Sequence, residues 1–372
     1  MSDLTLKTLT HHHKSDKDIF FQIDTFISQL KRRQITGSND VGMATAHLLV
    51  RFVSAARWTH IDSLISDLRL LGKRLIAAQP REFACGNMVR RVLALIREEI
   101  HGNNENGIDN KGLSSSSPLI TSMFNLLSTE DKSIETANNE KKTGRDLKPY
   151  IIEGIQELIE EIRNIEDSIA GMSVEMIHEN EVLLTPSPNS KTVLEFLRRA
   201  SQKRKFSVLV TESFPNETEI AHAFAKKLAK AGIETVIIPD SSVYAVMSRV
   251  GKVIVGARTV LANGGCISAS GIALACEAAK NHKTPVLAVT GVYKLSPLYP
   301  FDVESLIEVG NTGKVVDFSD KDMVENVEVM NPTYDYVAPE NIDIYVTNIG
   351  GYSPSFIYRL VLDHYSSEDN KL

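Results

Sequence analysis

Hydrophobic residues in the first half of the chain recur at intervals of three and four, the spacing of a helix with one buried face. Four stretches share this spacing: 19–30, 48–53, 61–75 and 88–100. A more regular stripe, from Ile151 to Ile169, consists mostly of isoleucine and follows Pro149. A stripe of this length is more typical of a helical bundle than of a coiled coil with a partner helix, although it fits both. The pattern predicts an N-terminal helical domain over residues 1–180.

The periodicity is lost between residues 101 and 148. Gly, Asn and Ser dominate the first part of this segment, and Lys and Glu dominate the last part. Such a composition buries too little apolar surface to order itself. We therefore expect a mobile insertion at about 101–148 within the helical domain, and no function is predicted for it.

Short apolar runs begin to alternate with helical patterns at Glu181. Six runs rich in Val, Ile and Leu are predicted to be buried strands: 182–184, 206–210, 233–238, 253–255, 285–289 and 342–346. Four segments between them have helical character: 192–201, 217–231, 242–249 and 270–281. This alternation is typical of βαβ units. The predicted fold class is α/β, with a helical bundle followed by a Rossmann-like, mostly parallel sheet domain in residues 181–372.

Composition narrows the classes of function. The chain has 372 residues, a net charge of −6 and three cysteines without paired spacing. These features suit a reducing cytosol, and they argue against a disulfide framework, a zinc module or a surface that binds nucleic acid throughout. We expect neither a secretory signal nor a membrane span, and therefore a cytoplasmic protein with no membrane partner.

Two clusters of side chains suggest other kinds of ligand, a metal ion and a nucleic acid or phosphate. His11 to His13 is similar to a metal-binding tract, but a short run in a tail that is predicted to be disordered supplies no fixed geometry. The basic cluster from Arg198 to Lys205 could bind RNA or a phosphate, yet cations are common at a helix C-terminus, where they face the negative end of the dipole. We predict no metal, no cofactor and no direct nucleic-acid partner.

Candidate chemistry lies where the predicted strands end. The run Gly256 to Gly265 follows the strand at 253–255, and neither the dinucleotide fingerprint nor the phosphate loop of nucleotide-binding proteins is present. Three other polar segments also follow strands: 185–190, 211–213 and 239–242. Open α/β sheets bind ligands at the carboxyl ends of their strands, so all four segments are predicted to line one crevice.

These loops resemble the ribose-phosphate isomerase family, whose members interconvert methylthioribose 1-phosphate or ribose 1,5-bisphosphate and whose fold also serves regulatory subunits of eukaryotic translation initiation factor 2B. The family motif T-H-C-N-x-G corresponds to residues 185–190, with Ser187 at the cysteine position. The motif G-A-D-R corresponds to residues 256–259, with Arg258 at the aspartate position, and N-G-D-V-A-N-K-I-G-T corresponds to residues 263–272. The resemblance implies a degenerate isomerase pocket formed by Ser187, Arg258, Asn263, Gly264, Gly265 and Ala269, where Ala269 replaces a lysine.

Isomerisation of an aldose phosphate needs groups that move protons. Ser187 has no histidine nearby in sequence to activate it, and Arg258 stays protonated at physiological pH. Cys266 could act as a replacement nucleophile, since it lies in a glycine-rich turn before a predicted helix, but a small buried thiol is the favoured interpretation. We predict no catalytic residue.

A second set of motifs is similar to the beta-type regulatory subunits of this family: 246–250, 293–297, 334–340 and 348–360. Ser353 and Pro354 begin a helix that carries aromatic residues and an arginine, the usual anchors of a protein interface. The resemblance favours a subunit interface over a terminal helix that docks only on its own sheet. The predicted interface comprises Tyr352, Phe356, Ile357, Tyr358, Arg359 and Leu360.

The resemblance implies a non-catalytic regulatory and scaffold subunit of the guanine-nucleotide exchange factor for translation initiation factor 2. It further implies pairing with the delta subunit through the Rossmann-like domains and assembly with the alpha, gamma and epsilon subunits. The helical domain would sense the phosphorylated alpha subunit of initiation factor 2. Two alternatives stay open: an active sugar-phosphate aldose–ketose isomerase, and a regulator that binds a metabolite at residues 263–265.

Overall fold

Two compact units make up the chain in its structure, a computed structural model that describes residues 14–56, 58, 60–105 and 144–372. Unit 1 takes the described part of Met1–Glu160 together with Asp363–Leu372, and unit 2 takes Glu161–Leu362. The domain boundary predicted from the sequence lies at residues 180 and 181. By its contacts the chain crosses into unit 2 before that point, and its last residues return to unit 1.

Two features of the sequence fall beyond what the structure describes. His11 to His13 and most of the predicted insertion at 101–148 lie outside the described residues.

Unit 1 is built from long amphipathic helices. They are α1 (Lys14–Lys31), α2 (Ser38–Ala55), α3 (Ile61–Ala78), α4 (Phe83–Glu105) and the first part of α5 (Gly144–Met176). The apolar stripes of the sequence supply the core, in which Leu49, Leu68 and Ile96 are fully buried. Burial of such a stripe is what stabilises helices of this length in water.

Helix α5 begins at Gly144, earlier than the sequence pattern indicates. Pro149 lies inside the helix instead of ahead of it, so its missing N–H removes one backbone hydrogen bond without ending the helix. The neighbouring Lys148 connects α5 to α2, because its Nζ donates to the carbonyl oxygens of Ser54 at 2.6 Å and Ala56 at 3.1 Å. These carbonyl groups end α2, where a cation is favoured.

The C-terminal residues are anchored in unit 1 by a buried carboxylate. The Asp369 side chain is 1% exposed and accepts hydrogen bonds from Arg69 Nη2 at 2.6 Å and from Arg97 Nε at 2.9 Å. Arg90 Nη2 also donates to the backbone oxygen of Asn370 at 3.3 Å. Charge-assisted bonds between two guanidinium groups and one carboxylate hold the tail in a defined position.

Unit 2 contains ten strands among its described residues. They are β1 (Glu181–Thr185), β2 (Phe206–Thr211), β3 (Glu234–Ile238), β4 (Lys252–Gly256), β5 (Thr259–Val260), β6 (Cys266–Ala269), β7 (Val286–Val289), β8 (Tyr334–Val337), β9 (Ile344–Thr347) and β10 (Gly350–Tyr352). The helices that follow α5 are α6 (Lys191–Ser201), α7 (Thr218–Lys230), α8 (Val243–Val246), α9 (Ile272–His282), α10 (Val303–Leu306), α11 (Lys321–Asn326) and α12 (Ile357–His364), the last of which ends in unit 1.

Seven of these strands form one sheet in the order β10-β9-β7-β4-β1-β2-β3. All neighbours are parallel except β10, which runs antiparallel to β9. Strand β7 is buried along its whole length, as are the central residues of β4. Strands that are buried on both faces have continuous apolar runs in their sequence, and for this reason the sequence pattern predicts them.

A second sheet has the order β5-β6-β8 and is antiparallel. The sequence pattern contains no strand between Gly256 and the helix at 270–281, so this sheet was missed. Strand β5 has two residues and β6 has four, too few to show a period. The predicted helix at 242–249 is also shorter than expected, since α8 is flanked by 3-10 turns.

No helix in the described part of the chain is both long enough and apolar enough to cross a membrane.

Replacing Asp369 by alanine is expected to lower the free energy of unfolding of unit 1 by roughly 3 kcal/mol, because two arginines lose their shared counter-charge. Trp58 is the only tryptophan and is buried in unit 1, so its fluorescence during urea unfolding reports on this unit. Glu368→Ala is the matched control. The Glu368 carboxylate pairs with Arg97 at 2.6 Å but is 65% exposed, and its loss is expected to cost less than about 1 kcal/mol. Equal effects of the two substitutions would contradict the anchoring role of Asp369.

Candidate functional site

The strand order reverses between β1 and β4, which places the carboxyl ends of these neighbours where open α/β sheets bind ligands. Ser187 follows β1, and its hydroxyl oxygen accepts a hydrogen bond from Gly256 N–H at 2.9 Å. Ser187 is buried, and a Cβ on Gly256 would lie 2.8 Å from Ser190 Oγ. The loops after β1 and β4 are therefore in direct contact, and Ser187 holds them together.

Arg258 is fixed above an aromatic ring. Its guanidinium carbon lies 4.2 Å from the centre of the Tyr334 ring, and the group also donates a hydrogen bond to the Tyr334 hydroxyl. The backbone N–H of Arg258 donates to the carbonyl oxygen of Ile267 at 2.8 Å, across the turn between β5 and β6. A guanidinium held in this way can neutralise negative charge but cannot accept a proton.

Glu217 is a site residue for which the sequence alone indicates no catalytic partner. It precedes α7, and its Oε1 accepts a hydrogen bond from Asn189 Nδ2 at 2.9 Å, whereas its Oε2 is buried with no partner in the described part of the chain. Burial raises the pKa of this carboxyl, while the Asn189 bond and the positive charges of Lys314 and Arg258 lower it in part. An acid directly before a helix is typically solvated, so only the loop contacts reveal the burial of Glu217.

The glycine loop after β5 is filled by other parts of unit 2. Asn263 Nδ2 donates to the Tyr336 hydroxyl at 2.7 Å, and a Cβ on Gly265 would lie 2.5 Å from that same oxygen. Gly264 has φ of +83°, and a Cβ there would lie 2.3 Å from the carbonyl oxygen of Pro354. The space beside both glycines is therefore occupied by the protein itself.

The two remaining candidate residues, Ala269 and Cys266 on β6, offer no group that is reactive at neutral pH. Ala269 pairs with Tyr334 across the small sheet. Cys266 is fully buried, its Sγ lies 3.4 Å from Ser268 Oγ, and burial raises the pKa of its thiol to about 11. A thiol in this state is a poor nucleophile at neutral pH, which supports the interpretation of Cys266 as a packing residue.

The predicted interface residues divide into an exposed set and a buried set. Tyr352 and Phe356 stack with ring centres 5.4 Å apart, and Phe356 and Tyr358 are 41% and 49% exposed. Ile357 and Leu360 are buried, contrary to the expectation that they face a partner. The reason is helical geometry: they lie on the side of α12 that packs on the protein interior. Arg359 is half-buried and bonded within the chain.

Two other candidate clusters add no site. Arg198 in the basic cluster pairs with Glu195 at 2.7 Å on an exposed face of α6. Among the described residues, no group of three or more His, Cys, Asp or Glu side chains is arranged to hold a metal ion.

Gly264→Ala is expected to lower the free energy of opening of β6 and β9 by about 3 kcal/mol, because it combines backbone strain with a clash against Pro354. Gly232→Ala is the matched control, since Gly232 has the same φ of +83° but no atom within 4 Å of an added Cβ. That change is expected to cost about 1 kcal/mol, from backbone strain alone. Hydrogen exchange of the strand amides measures both, and an equal cost would show that the contact with Pro354 is unimportant.

Comparisons with known proteins place the chain in a family. A model of the initiation factor 2 subunit family matches residues 34–354. The chain is 40% identical to the translation initiation factor eIF2B subunit beta of Schizosaccharomyces pombe, over 94% of this chain and 97% of that one. A ribose 1,5-bisphosphate isomerase of Archaeoglobus fulgidus is 28% identical, over 57% of this chain and 67% of its own.

A solved structure gives the same result. The crystal structure of the tetrameric eIF2B-beta2-delta2 complex from C. thermophilum contains a chain with a TM-score of 0.70 and 31% identity, over 94% of this chain and 97% of that chain. These matches confirm the family resemblance and the α/β fold with an N-terminal helical region that were predicted from the sequence. The chain belongs to the initiation factor 2 subunit family.

Proposed function

We propose that this chain is a regulatory and scaffold subunit of the guanine-nucleotide exchange factor for translation initiation factor 2. The observation that carries the proposal is the extent of the match to the eIF2B beta subunit, which covers 94% of this chain and so includes residues of both units. The match to the isomerase covers only 57% of the chain. The chain acts in translation initiation, in the cytosol.

The geometry of the site supports a subunit without catalytic activity. Aldose–ketose isomerisation moves protons between carbons and between oxygens, so it needs acids and bases placed together. Ser187 is engaged with Gly256, Arg258 is held by Tyr334, and Ala269 has no ionisable group. Glu217 has a raised pKa, but no second described carboxylate, thiol or amine is bonded to it as a partner in proton transfer.

No specific observation favours the two alternative functions. Tyr336 and Pro354 already lie against the glycines of residues 263–265, so the geometry of this loop gives no support to a bound metabolite. An active isomerase would need a proton-moving group at position 187, 258 or 269, where the chain has serine, arginine and alanine.

The proposed partners are the delta, alpha, gamma and epsilon subunits of initiation factor 2B and initiation factor 2 with its phosphorylated alpha subunit. The tetrameric C. thermophilum complex contains two beta and two delta subunits, which supports delta as a direct partner. We assign this contact to the exposed aromatic face of Tyr352, Phe356 and Tyr358. Stacked aromatic side chains are frequent anchors of protein interfaces.

Phe356→Ser combined with Tyr358→Ser is expected to weaken binding of the delta subunit by about 2 kcal/mol or more, roughly thirtyfold, because interface anchors of this kind carry much of the binding energy. Co-purification of the tagged chain from its own cytosol and native mass determination measure the loss. Tyr244→Ser is the control, since Tyr244 is an aromatic residue that is 59% exposed on α8. Undiminished recovery of all partner subunits by the double variant would refute this assignment, and a chain recovered only as a homodimer in its native form would refute the scaffold function.

Sensing of phosphorylated initiation factor 2 is assigned to unit 1. Phosphoserine is recognised by arginine and lysine clusters through charge-assisted hydrogen bonds. Lys31 and Arg32 are exposed cations at the end of α1, so they are the first positions to test.

Reversing the charge of Lys31 and Arg32 to glutamate is expected to relieve inhibition by the phosphorylated factor about tenfold or more, while basal exchange by the assembled factor stays unchanged. Nucleotide-exchange rates with phosphorylated and unphosphorylated factor 2 give both quantities. The control reverses Lys226 and Lys227, which are exposed on α7 in unit 2. Inhibition that persists through this variant and through a scan of all other exposed residues in unit 1 would contradict the sensing role.

A further inference from the structure

Residues 301–330, here named the acidic segment, form a part of unit 2 that has no apolar core of its own. The one buried residue between 301 and 330 is a glutamate, Glu308. Eight apolar side chains of the segment are exposed: Phe301 95%, Val303 37%, Val309 49%, Val315 41%, Phe318 63%, Val324 51%, Val327 47% and Met330 65%. Single exposed apolar residues are common on protein surfaces, but such a density in one segment is typical of an interaction surface.

Hydrogen bonds that involve Asn216 and Asn331 hold the acidic segment in place. The side-chain amides of Asn216 and Asn331 bond to each other at 2.8 Å and 3.0 Å. Lys314 Nζ donates to the backbone oxygen of Asn216 at 2.9 Å, and Gly310 N–H donates to the backbone oxygen of Asn331 at 2.7 Å. Hydrogen bonds therefore order the backbone of the acidic segment, whereas its eight apolar side chains stay exposed to solvent. Ordering these residues costs conformational entropy, which burial of their apolar side chains against another surface would help to offset.

The exposed charges of the acidic segment have one dominant sign. The exposed acids are Asp302, Glu304, Asp317, Asp320, Asp322, Glu325 and Glu328, against the exposed lysines Lys314 and Lys321. Asp302, Asp317 and Asp320 accept hydrogen bonds from nearby backbone N–H groups, which gives them a local structural role. The other four exposed acids make no side-chain hydrogen bond or ion pair with a described residue, so their charge is available to a partner.

The sign of this charge decides which ligand fits. Nucleic acid, anionic membrane lipids and phosphorylated metabolites would all be repelled by a surface of this kind. A protein segment with lysines and arginines among apolar side chains would satisfy both the charge and the exposed apolar area. We propose that the acidic segment is a docking surface for a partner protein whose contacting stretch is basic and apolar. This inference goes beyond the regulatory function proposed above, because it assigns a surface that neither the sheet loops nor the α12 face includes.

Photocrosslinking in the native assembly tests the proposal. The photoreactive residue benzoyl-phenylalanine replaces Phe301 or Val324 in the full-length chain, and replaces Leu274 as the control, since Leu274 is 62% exposed on α9. We expect both test positions to crosslink to the same stretch of another protein, and that stretch to carry a net positive charge and apolar residues. The control position is expected to give no such adduct.

Charge reversal provides the second measurement. Glu325→Lys with Glu328→Lys is expected to reduce the crosslink yield from position 301 at least fivefold, whereas Glu175→Lys with Glu234→Lys, an equal change at exposed positions elsewhere in unit 2, is expected to leave it unchanged. Three outcomes would overturn the proposal. The first is a crosslink yield no higher than at the control position, and the second is an adduct with residues 106–143 of the same chain or with a second copy of it. The third is a crosslink yield that charge reversal leaves unchanged. The readout is contact chemistry and not exchange activity, so a failure here is distinguishable from a failure of the proposed function.

Discussion

A backbone contact that only glycine permits holds the centre of unit 2. Gly264 lies so near the carbonyl group of Pro354 that an added Cβ would come within 2.3 Å of its oxygen. The carbonyl oxygen of Gly264 also accepts a hydrogen bond from the buried Tyr345 hydroxyl at 2.8 Å. Together these contacts fasten the glycine loop to strand β9 and to the start of the terminal helix. The positions of the small sheet and of the aromatic face beside Phe356 follow from this attachment.

The same contact explains what the enzyme-like glycine loop does in this chain. In this chain the glycines admit parts of the protein itself, Tyr336 on one side and Pro354 on the other. Arg258 and Ser187 likewise make internal bonds, to Tyr334 and to Gly256. The residues that match a catalytic pocket in sequence therefore act as internal supports of unit 2.

Unit 1 depends on a different kind of contact, between distant parts of the sequence. Asp369 lies at the end of the chain, yet its carboxylate is buried between Arg69 on α3 and Arg97 on α4. A helical bundle can form from its apolar stripes alone, but the tail gives those two arginines a shared counter-charge. Unit 1 is consequently discontinuous in sequence, and its stability is linked to residues that follow unit 2.

Local signals are sufficient to predict the long helices, the buried parallel strands and the family, because apolar periodicity and glycine-containing motifs need no tertiary contact to be recognised. They are insufficient for the small sheet, whose strand β5 has two residues and whose third strand β8 joins from a distant part of the chain. The burial of Glu217 and Asp369 is likewise not predictable from the sequence, because the same residue type is buried or solvated depending on the neighbours that the fold supplies. Burial of Ile357 and exposure of Phe356 were decided by which side of the terminal helix met the interior, and only tertiary packing sets that.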